Sequence, residues 1–252
     1  MHQQTHTRKS HTLKPRTGPI ESANGSAMVR IGETTMIAGI NLEIVQPGQN
    51  TPKEGDYELN VHLWPICSSS IRPGAAPEEA FSLADFLNKT IFNKKNKVID
   101  MSQLCVEEGR ACWVMKVDVL CLEHDGNLED AASLAVISAL HDLRVPAHEY
   151  DEEKDMVHLI EGDAKALHIQ HSVMTSTFGL FEKSCLICDP TSEEEGLIDT
   201  TITIALDERE RILSMFVPGS EGVDESTLKQ CLELASKRSK MLRGILDDVL
   251  KK

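Results

Sequence analysis

Aromatic residues are scarce: Phe, Trp and Tyr make up 4% of the 252-residue chain. That argues against a function built on base-stacking platforms or aromatic cages. Positive charge is also in short supply. Lys and Arg number 26 against 40 Asp and Glu, a formal net charge of −14. Such a chain repels a phosphate backbone in its average field, so tight nucleic-acid binding by the isolated protein is not expected. No apolar run approaches the roughly 18–20 residues of a membrane span. The N-terminus lacks the apolar core of a secretory signal. A Gly-rich phosphate loop, a G-x-S-x-G elbow and an H-E-x-x-H zinc motif are missing too. No internal repeat shows at a period of 20–50 residues.

What is present is ordinary for a globular protein: 40% hydrophobic and 26% charged residues. A chain of this length buries enough apolar surface to fold without staples. The seven cysteines are odd in number and mostly lie in apolar runs, which predicts reduced thiols in the cytosol or nucleus. Charge is uneven. The first twenty residues hold Arg8, Lys9, Lys14 and Arg16 and no acid, so the remainder is more negative than the whole. An acidic body can still carry a local basic groove.

Residues 1–21 read as a flexible basic tail. Ser26–Ile31 and Thr34–Val45 then form a hairpin around Gly32-Glu33. Tyr57–Ile66 alternates as a third strand. A loop from Cys67 to Pro77 leads into a helix with Pro77 at its first position and Glu78 and Glu79 at its positive end. Ala80, Leu83, Ala84, Leu87 and Ile91 make its apolar stripe. The basic run Lys94, Lys95 and Lys97 beyond it reads as a solvated turn. Ala111–Leu122 is a long apolar strand. After the turn Asp125-Gly126-Asn127, with Asn127 as a helix cap, Leu128–Leu143 forms a helix apolar nearly all round, hence buried on several sides.

The charged stretch Glu149–Asp155 predicts a connector. This divides the chain into a tail (1–21), a first domain (22–148), the connector (149–155) and a second domain (156–252). The second half holds strands at Met156–Ile160, Leu167–Phe181, Cys185–Cys188, Thr200–Leu206 and Arg211–Val217. A helix over Glu225–Leu250 closes it. Its stripe is Leu228, Cys231, Leu232, Ala235, Leu242, Ile245, Leu246 and Val249. Runs of strands broken by helices predict an α+β fold.

Cys185 and Cys188 form a C-x-x-C without a second pair, inside an apolar strand, and read as packed thiols. His168 and His171 fall in a predicted strand, where a three-residue spacing puts them on opposite faces, so metal binding there is not expected. The start of the buried helix is more telling. A helix N-terminus ordinarily favours anions. Here Glu129 and Asp130 already occupy that first turn. Bringing a phosphate beside one carboxylate costs on the order of 4 kcal/mol per unit charge pair at 4 Å and an effective dielectric of 20.

The segments SANGSAMVRIGETTMIAGINLEI, CSSSIRPGAAPEEA, WVMKVDVLCLEHDGNLEDAASLAVISAL, LICDPTSEEE and FVPGSEG occur in the order shown by RNase PH-type proteins. The combination of DGN-x-x-DA with DPTxEEE resembles the acidic, non-catalytic branch of that family, the ring subunits of the eukaryotic RNA exosome. The resemblance spans roughly residues 20–250. It implies an RNase PH-type fold of two strand-and-helix halves and a six-subunit ring of such chains with cap subunits. It also implies single-stranded RNA threaded through the ring, and a place in the nucleus, nucleolus and cytoplasm.

Active members hold phosphate with a Gly-Thr-Arg triplet before the buried helix. The Arg position aligns with Glu129, which reverses the charge. The Arg they carry early in the preceding helix is absent from EEAFSLADFL. Their two carboxylates align with Asp189 and Asp199, which read here as a turn residue before Pro190 and a strand-edge residue. An anion must be held beside the RNA ester for phosphorolysis, so the resemblance implies a chain without catalytic activity. It implies no metal and no cofactor. Ser70 and Arg72, in the loop before the first helix, are the candidates for RNA contact. The family's usual opening helix and Arg-Pro-Asp-Gly-Arg-like stretch are not found, so a shortened or altered start is an expectation. Two alternatives stand beside this reading: an active phosphate-dependent 3′–5′ exoribonuclease, and an acidic scaffold unrelated to RNA.

Overall fold

The computed structural model describes residues 13–68, 77–160, 162–182, 185–218 and 222–250. The loop candidates Ser70 and Arg72 lie outside these described residues. The chain is α+β, as the strand and helix patterning predicts.

The first half is built on strand β1 (Leu13–Thr17), β2 (Gly25–Ile31), β3 (Thr34–Val45) and β4 (Asp56–Leu63). Helix α1 (Glu78–Leu87) follows, running into a π-turn over Asn88–Phe92. A 3₁₀ turn over Met101–Leu104 then leads to β5 (Cys105–Glu107), β6 (Ala111–Glu123) and helix α2 (Leu128–Asp142). These strands form one sheet in the order β1-β2-β3-β6-β4, with β5 folded back on β6. All pairs are antiparallel except β4 with β6. Along β6 the period of two is clear. Trp113, Met115, Val117, Val119 and Cys121 point into the core, while Lys116 and Asp118 face outward.

Two short strands, β7 (Arg144–Val145) and β8 (His148–Asp151), precede β9 (Met156–Leu159), and β10 (Lys165–Ala166) pairs with β7. The second sheet is fully antiparallel, in the order β12-β11-β13-β14: β12 (Cys185–Cys188), β11 (Met174–Phe181), β13 (Thr200–Leu206) and β14 (Ile212–Phe216). Between β12 and β13 lies one turn of helix, α3 (Ser192–Glu195), and α4 (Glu225–Leu250) ends the chain.

Helix α2 packs on β2 and β3 and also on β11, which is why most of its side chains are buried, all but Asp130, Ser133 and Ser138 of the buried ones being apolar. Its small residues let the backbone of β2 approach. A Cβ built on Gly25 would lie 2.6 Å from the Leu143 Cα and 2.7 Å from the Ala139 carbonyl. Helix α4 packs on β11, β13 and β1, so the last element closes over both sheets.

Several expectations are corrected. The basic tail is not wholly loose: Leu13–Thr17 is a strand, paired Leu13 with Ile31 through Thr17 with Ala27. Burial of Leu13 and the ladder to β2 fix what composition alone suggested was solvated. Glu149–Asp155 is the turn end of the β8–β9 hairpin, with Asp151 accepting from the Glu153 and Lys154 amides. The acidic residues crowd a tight turn there, and the chain around them is paired. The strand expected from Leu167 begins only at Met174. His168 and His171 therefore lie outside it. Pro77 stands at the N-cap of α1, one position before the first helical residue.

Cys185 and Cys188 do form a strand, but alternation puts them on opposite faces, so they do not pack together. Burial pushes the Cys231 thiol up to about 12 and the Cys121 thiol higher still, the mark of inert core thiols.

The close approach at Gly25 yields a direct test. Gly25→Ala should cost about 2–3 kcal/mol in urea denaturation, because backbone rather than a flexible side chain must yield. Gly109→Ala, at φ +72 with open space around it, should cost about 1 kcal/mol from backbone strain alone.

Candidate functional site

The site suggested by the DGN and DPTSEEE motifs is one place in the structure. The turn Asp125–Asn127 lies against the backbone of 190–192. The Ser192 N–H donates to the Asp125 carbonyl at 3.0 Å. Gly126 has φ +89, and a Cβ there would sit 2.6–2.7 Å from the Pro190 carbonyl, Thr191 C and Ser192 N. Only glycine meets both demands. Thr34 Oγ1 braces the turn from β3, donating to the Gly126 carbonyl at 2.7 Å and accepting from the Asp125 N–H at 2.9 Å.

Asn127 is at the N-cap of α2, yet its side chain caps nothing. With φ +49 its amide turns inward, donating to Asp130 Oδ2 at 3.0 Å and also to Asp189 Oδ1. Asp189, itself at φ +61, is 2% exposed. Asn and Asp are among the few residues that visit this left-handed region readily.

Between the two aspartates lies Arg238 of α4, 6% exposed. Its Nη2 is 3.1 Å from Asp130 Oδ2, and its Nη1 is 3.5 Å from Asp189 Oδ2 and 3.3 Å from Cys188 Sγ. Asp130 also accepts from the Thr177 N–H at 3.2 Å and hydroxyl at 2.9 Å. Burial alone would depress the guanidinium pKa, but Asp130 and Asp189 raise it above its usual value. The cluster is a buried ion triad tying α2, β12 and α4 together.

Glu129, one residue from Asp130, points the other way. It lines a cavity of about 240 Å³ with Glu79, Glu195, His124, Ser82 and Thr201. Glu195 reaches from α3 to accept the Asn127 N–H at 2.7 Å, so a carboxylate of the chain itself sits at the positive end of α2. Burial, with Glu195, Asp130 and Glu79 nearby, pushes the Glu129 carboxyl up to about 7. Burial also raises Glu195, helped by Glu79 and Asp125. Burial lowers the His124 imidazole, which favours its neutral form.

The DPTSEEE stretch can now be read residue by residue. Asp189 goes inward to Arg238. Thr191 and Glu194 form a reciprocal capping box at the start of α3. Glu195 caps α2. Asp199 is elsewhere: exposed, its N–H bonded to the Leu180 carbonyl at 2.9 Å, as a strand-edge residue. Asp189 departs from the turn-residue reading, because its carboxylate is a buried ion-pair partner. Arg238 and Asn127 were not anticipated in these roles. The signal for Arg238 lay in the α4 stripe, where Cys231, Ala235, Leu242 and Leu246 are buried and position 238 completes the spacing with a cation.

Outside this site, His171 shares a cluster with Asp207 and Glu208, their ligand atoms within 4.8 Å of one another. The Asp207 carboxylate is already engaged by the Arg211 Nε at 2.6 Å and by the Arg209 and Arg211 amides. His168 is apart from it, its N–H bonded to Gln103.

Two antiparallel-rich units share a buried helix, and carboxylates gather at that helix's start. The 3′ exoribonuclease family models match here, domain 1 over residues 10–146 and domain 2 over 171–238. The chain belongs to this RNase PH family. It is 34% identical to the exosome complex component Rrp42 of Methanopyrus kandleri over 92% of this chain and 85% of that one. It is 33% identical to the exosome complex component Rrp43 of Schizosaccharomyces pombe over 86% and 79%. Among solved structures, a chain of the Archaeoglobus fulgidus exosome with RNA bound to the active site superposes with a TM-score of 0.82 at 30% identity. That match covers 94% of this chain and 88% of the other.

Two outcomes follow. Arg238→Met should destabilise the fold by about 3–5 kcal/mol, since it leaves two buried carboxylates uncompensated, as read by chemical denaturation. The Glu129 effect depends on pH. A carboxyl raised in the fold above its unfolded value near 4.5 binds its proton more tightly in the native state. It therefore favours folding at low pH and loses that advantage as pH rises through about 7. Glu129→Gln should leave stability at pH 4 nearly unchanged and raise it at pH 8 by about 1–3 kcal/mol, as read by denaturation midpoints at both pH values.

Proposed function

We propose that the chain is a non-catalytic ring subunit of the RNA exosome. It supports 3′–5′ RNA processing and degradation by assembling with other RNase PH-type ring subunits and with cap subunits. Single-stranded RNA is a partner within the assembled complex, and the complex works in the nucleus, including the nucleolus, and in the cytoplasm. The relatives named above are exosome components, and the one from fission yeast belongs to a eukaryote.

One observation carries the absence of catalysis. The position aligned with the family's phosphate-holding Arg is Glu129, beside Glu79 and Glu195, and Glu195 already takes the Asn127 amide. Asp189, at an aligned carboxylate position, is bound by Arg238 and Asn127. No Lys or Arg is among the residues lining the Glu129 cavity, and the Asp189 carboxylate is held in an ion pair, while Asp199 lies apart on the surface. Within this reading, residues 22–148 and 156–252 are the two RNase PH-type domains, joined through 149–155. Ser70 and Arg72 are retained as RNA-contact candidates of the loop before α1.

The test has two arms. A tagged chain should copurify with RNase PH-type neighbours, and a folded monomer with no such partners would overturn the ring role. The pure chain with RNA and inorganic phosphate should release no nucleoside diphosphates. Glu129→Arg alone should also release none, because the rest of the clamp is missing; measurable turnover in that variant would contradict the account.

A further inference from the structure

Strand β1 alternates strictly. Leu13 is buried, while Lys14 and Arg16 are exposed on the outer face of the first sheet. Lys14 stands directly opposite Arg30 of β2, and Arg16 opposite Met28. Directly opposed residues of an antiparallel pair share a face, and like charges so placed are destabilising. Lys14 and Arg16 make no ion pair among the described residues. Arg30 donates to the Gly32 carbonyl and pairs with Glu33, the one carboxylate that answers this corner. Several other exposed lysines have carboxylate partners, as in Lys89–Asp85, Lys94–Glu54, Lys116–Glu43 and Lys240–Glu210, whereas Lys95, Lys97, Lys165 and Lys237 have none among the described residues. On the Lys14 side this like-charge pairing has no carboxylate partner among the described residues.

We propose that the outer face of β1 and β2 binds the phosphate backbone of single-stranded RNA through Lys14, Arg16 and Arg30. The proposal rests on the ring-subunit reading and gives it a contact surface. Two residues along a strand span about 6.8 Å, so Lys14 and Arg16 present charges at a repeat that an extended backbone can follow. Backbone contacts position RNA without reading its sequence. With few aromatics available, binding here is electrostatic, weak and strongly salt-dependent. Pro15 marks β1 as an edge strand, and basic residues on an edge also discourage strand addition. The experiment separates the two roles.

Fluorescence anisotropy of the full chain with a labelled 20-nucleotide oligouridine, across a salt series, reads the proposal. The wild type should bind measurably at 50 mM salt. Lys14→Gln/Arg16→Gln/Arg30→Gln should weaken binding at least tenfold there and flatten the log–log salt slope by about 2, at roughly 0.7 per lost phosphate contact. Arg16→Gln alone should flatten it by about 0.7. Lys95→Gln/Lys97→Gln should change neither quantity. Equal affinity and slope in the triple variant, or no wild-type binding at 50 mM salt, would sink the proposal; self-association of the variant with RNA binding intact would assign the cations to edge protection. Copurification of ring neighbours with the triple variant shows that the ring reading survives such a failure, whereas their absence from the wild type defeats that reading itself.

Discussion

The guanidinium of Arg238 between Asp130 and Asp189 is the interaction on which the arrangement depends. It joins the C-terminal helix, the start of the central helix and the end of a strand in the second sheet. Burying three charges is expensive, and attraction offsets the desolvation only where the remaining hydrogen-bonding capacity is met. Here it is met. The Asn127 amide serves both aspartates, Thr177 gives Asp130 its hydroxyl and N–H, and the positive end of α2 faces the surplus negative charge. Two residues in the left-handed region, Asn127 and Asp189, are held there by this network. A carboxylate so committed is part of the frame.

The neighbouring acid follows from the same helix geometry. Consecutive residues of an α-helix project about 100° apart, so Asp130 can enter the core while Glu129 faces the cavity. The positive end of a helix stabilises an anion by typically 0.3–1 kcal/mol, up to about 2 in partly buried settings. Repulsion from one ionised carboxylate at 4 Å is on the order of 4 kcal/mol at an effective dielectric of 20. Repulsion wins, and Glu195 has in any case taken the amide that an incoming phosphate would use. Crowding then acts on the carboxylates themselves and pushes the Glu129 proton affinity upward.

Long periodic elements were legible in the sequence. The strand Thr200–Leu206 and the helix Glu225–Leu250 are found at their predicted bounds, and the buried helix ends one residue before its predicted limit. Period and length suffice there, because each element buries a face whose pattern is local. What failed was set by partners far along the chain. Leu13–Thr17 looks like tail until β2 offers it a ladder, and Leu167–Val173 looks like strand though its hydrogen bonds go elsewhere. At the site, the crowding of acids at Glu129 and Asp130 was readable from the sequence. The ion triad was not, because it is assembled from positions 130, 189 and 238. Arg238 reads as one more surface cation until the buried stripe of α4 is followed across it.

Charge is uneven across the first sheet, whose outer face carries Asp118 as well as cations. The inner face carries α2, whose start is ringed by Glu79, Glu129 and Glu195. The outer face at β1 carries Lys14 and Arg16, with Arg30 beside them. A net charge of −14 alone would describe a body that repels RNA everywhere, but net charge sets only the far field. Within a Debye length of about 8 Å at physiological salt, local charges decide. On the proposed reading, a polyanion is turned away from the start of α2, where Glu79, Glu129 and Glu195 gather, and is met by Lys14 and Arg16 on the other side of the sheet. Separating the two surfaces would let one acidic chain lie along an RNA path with its carboxylate-lined cavity kept clear of the strand.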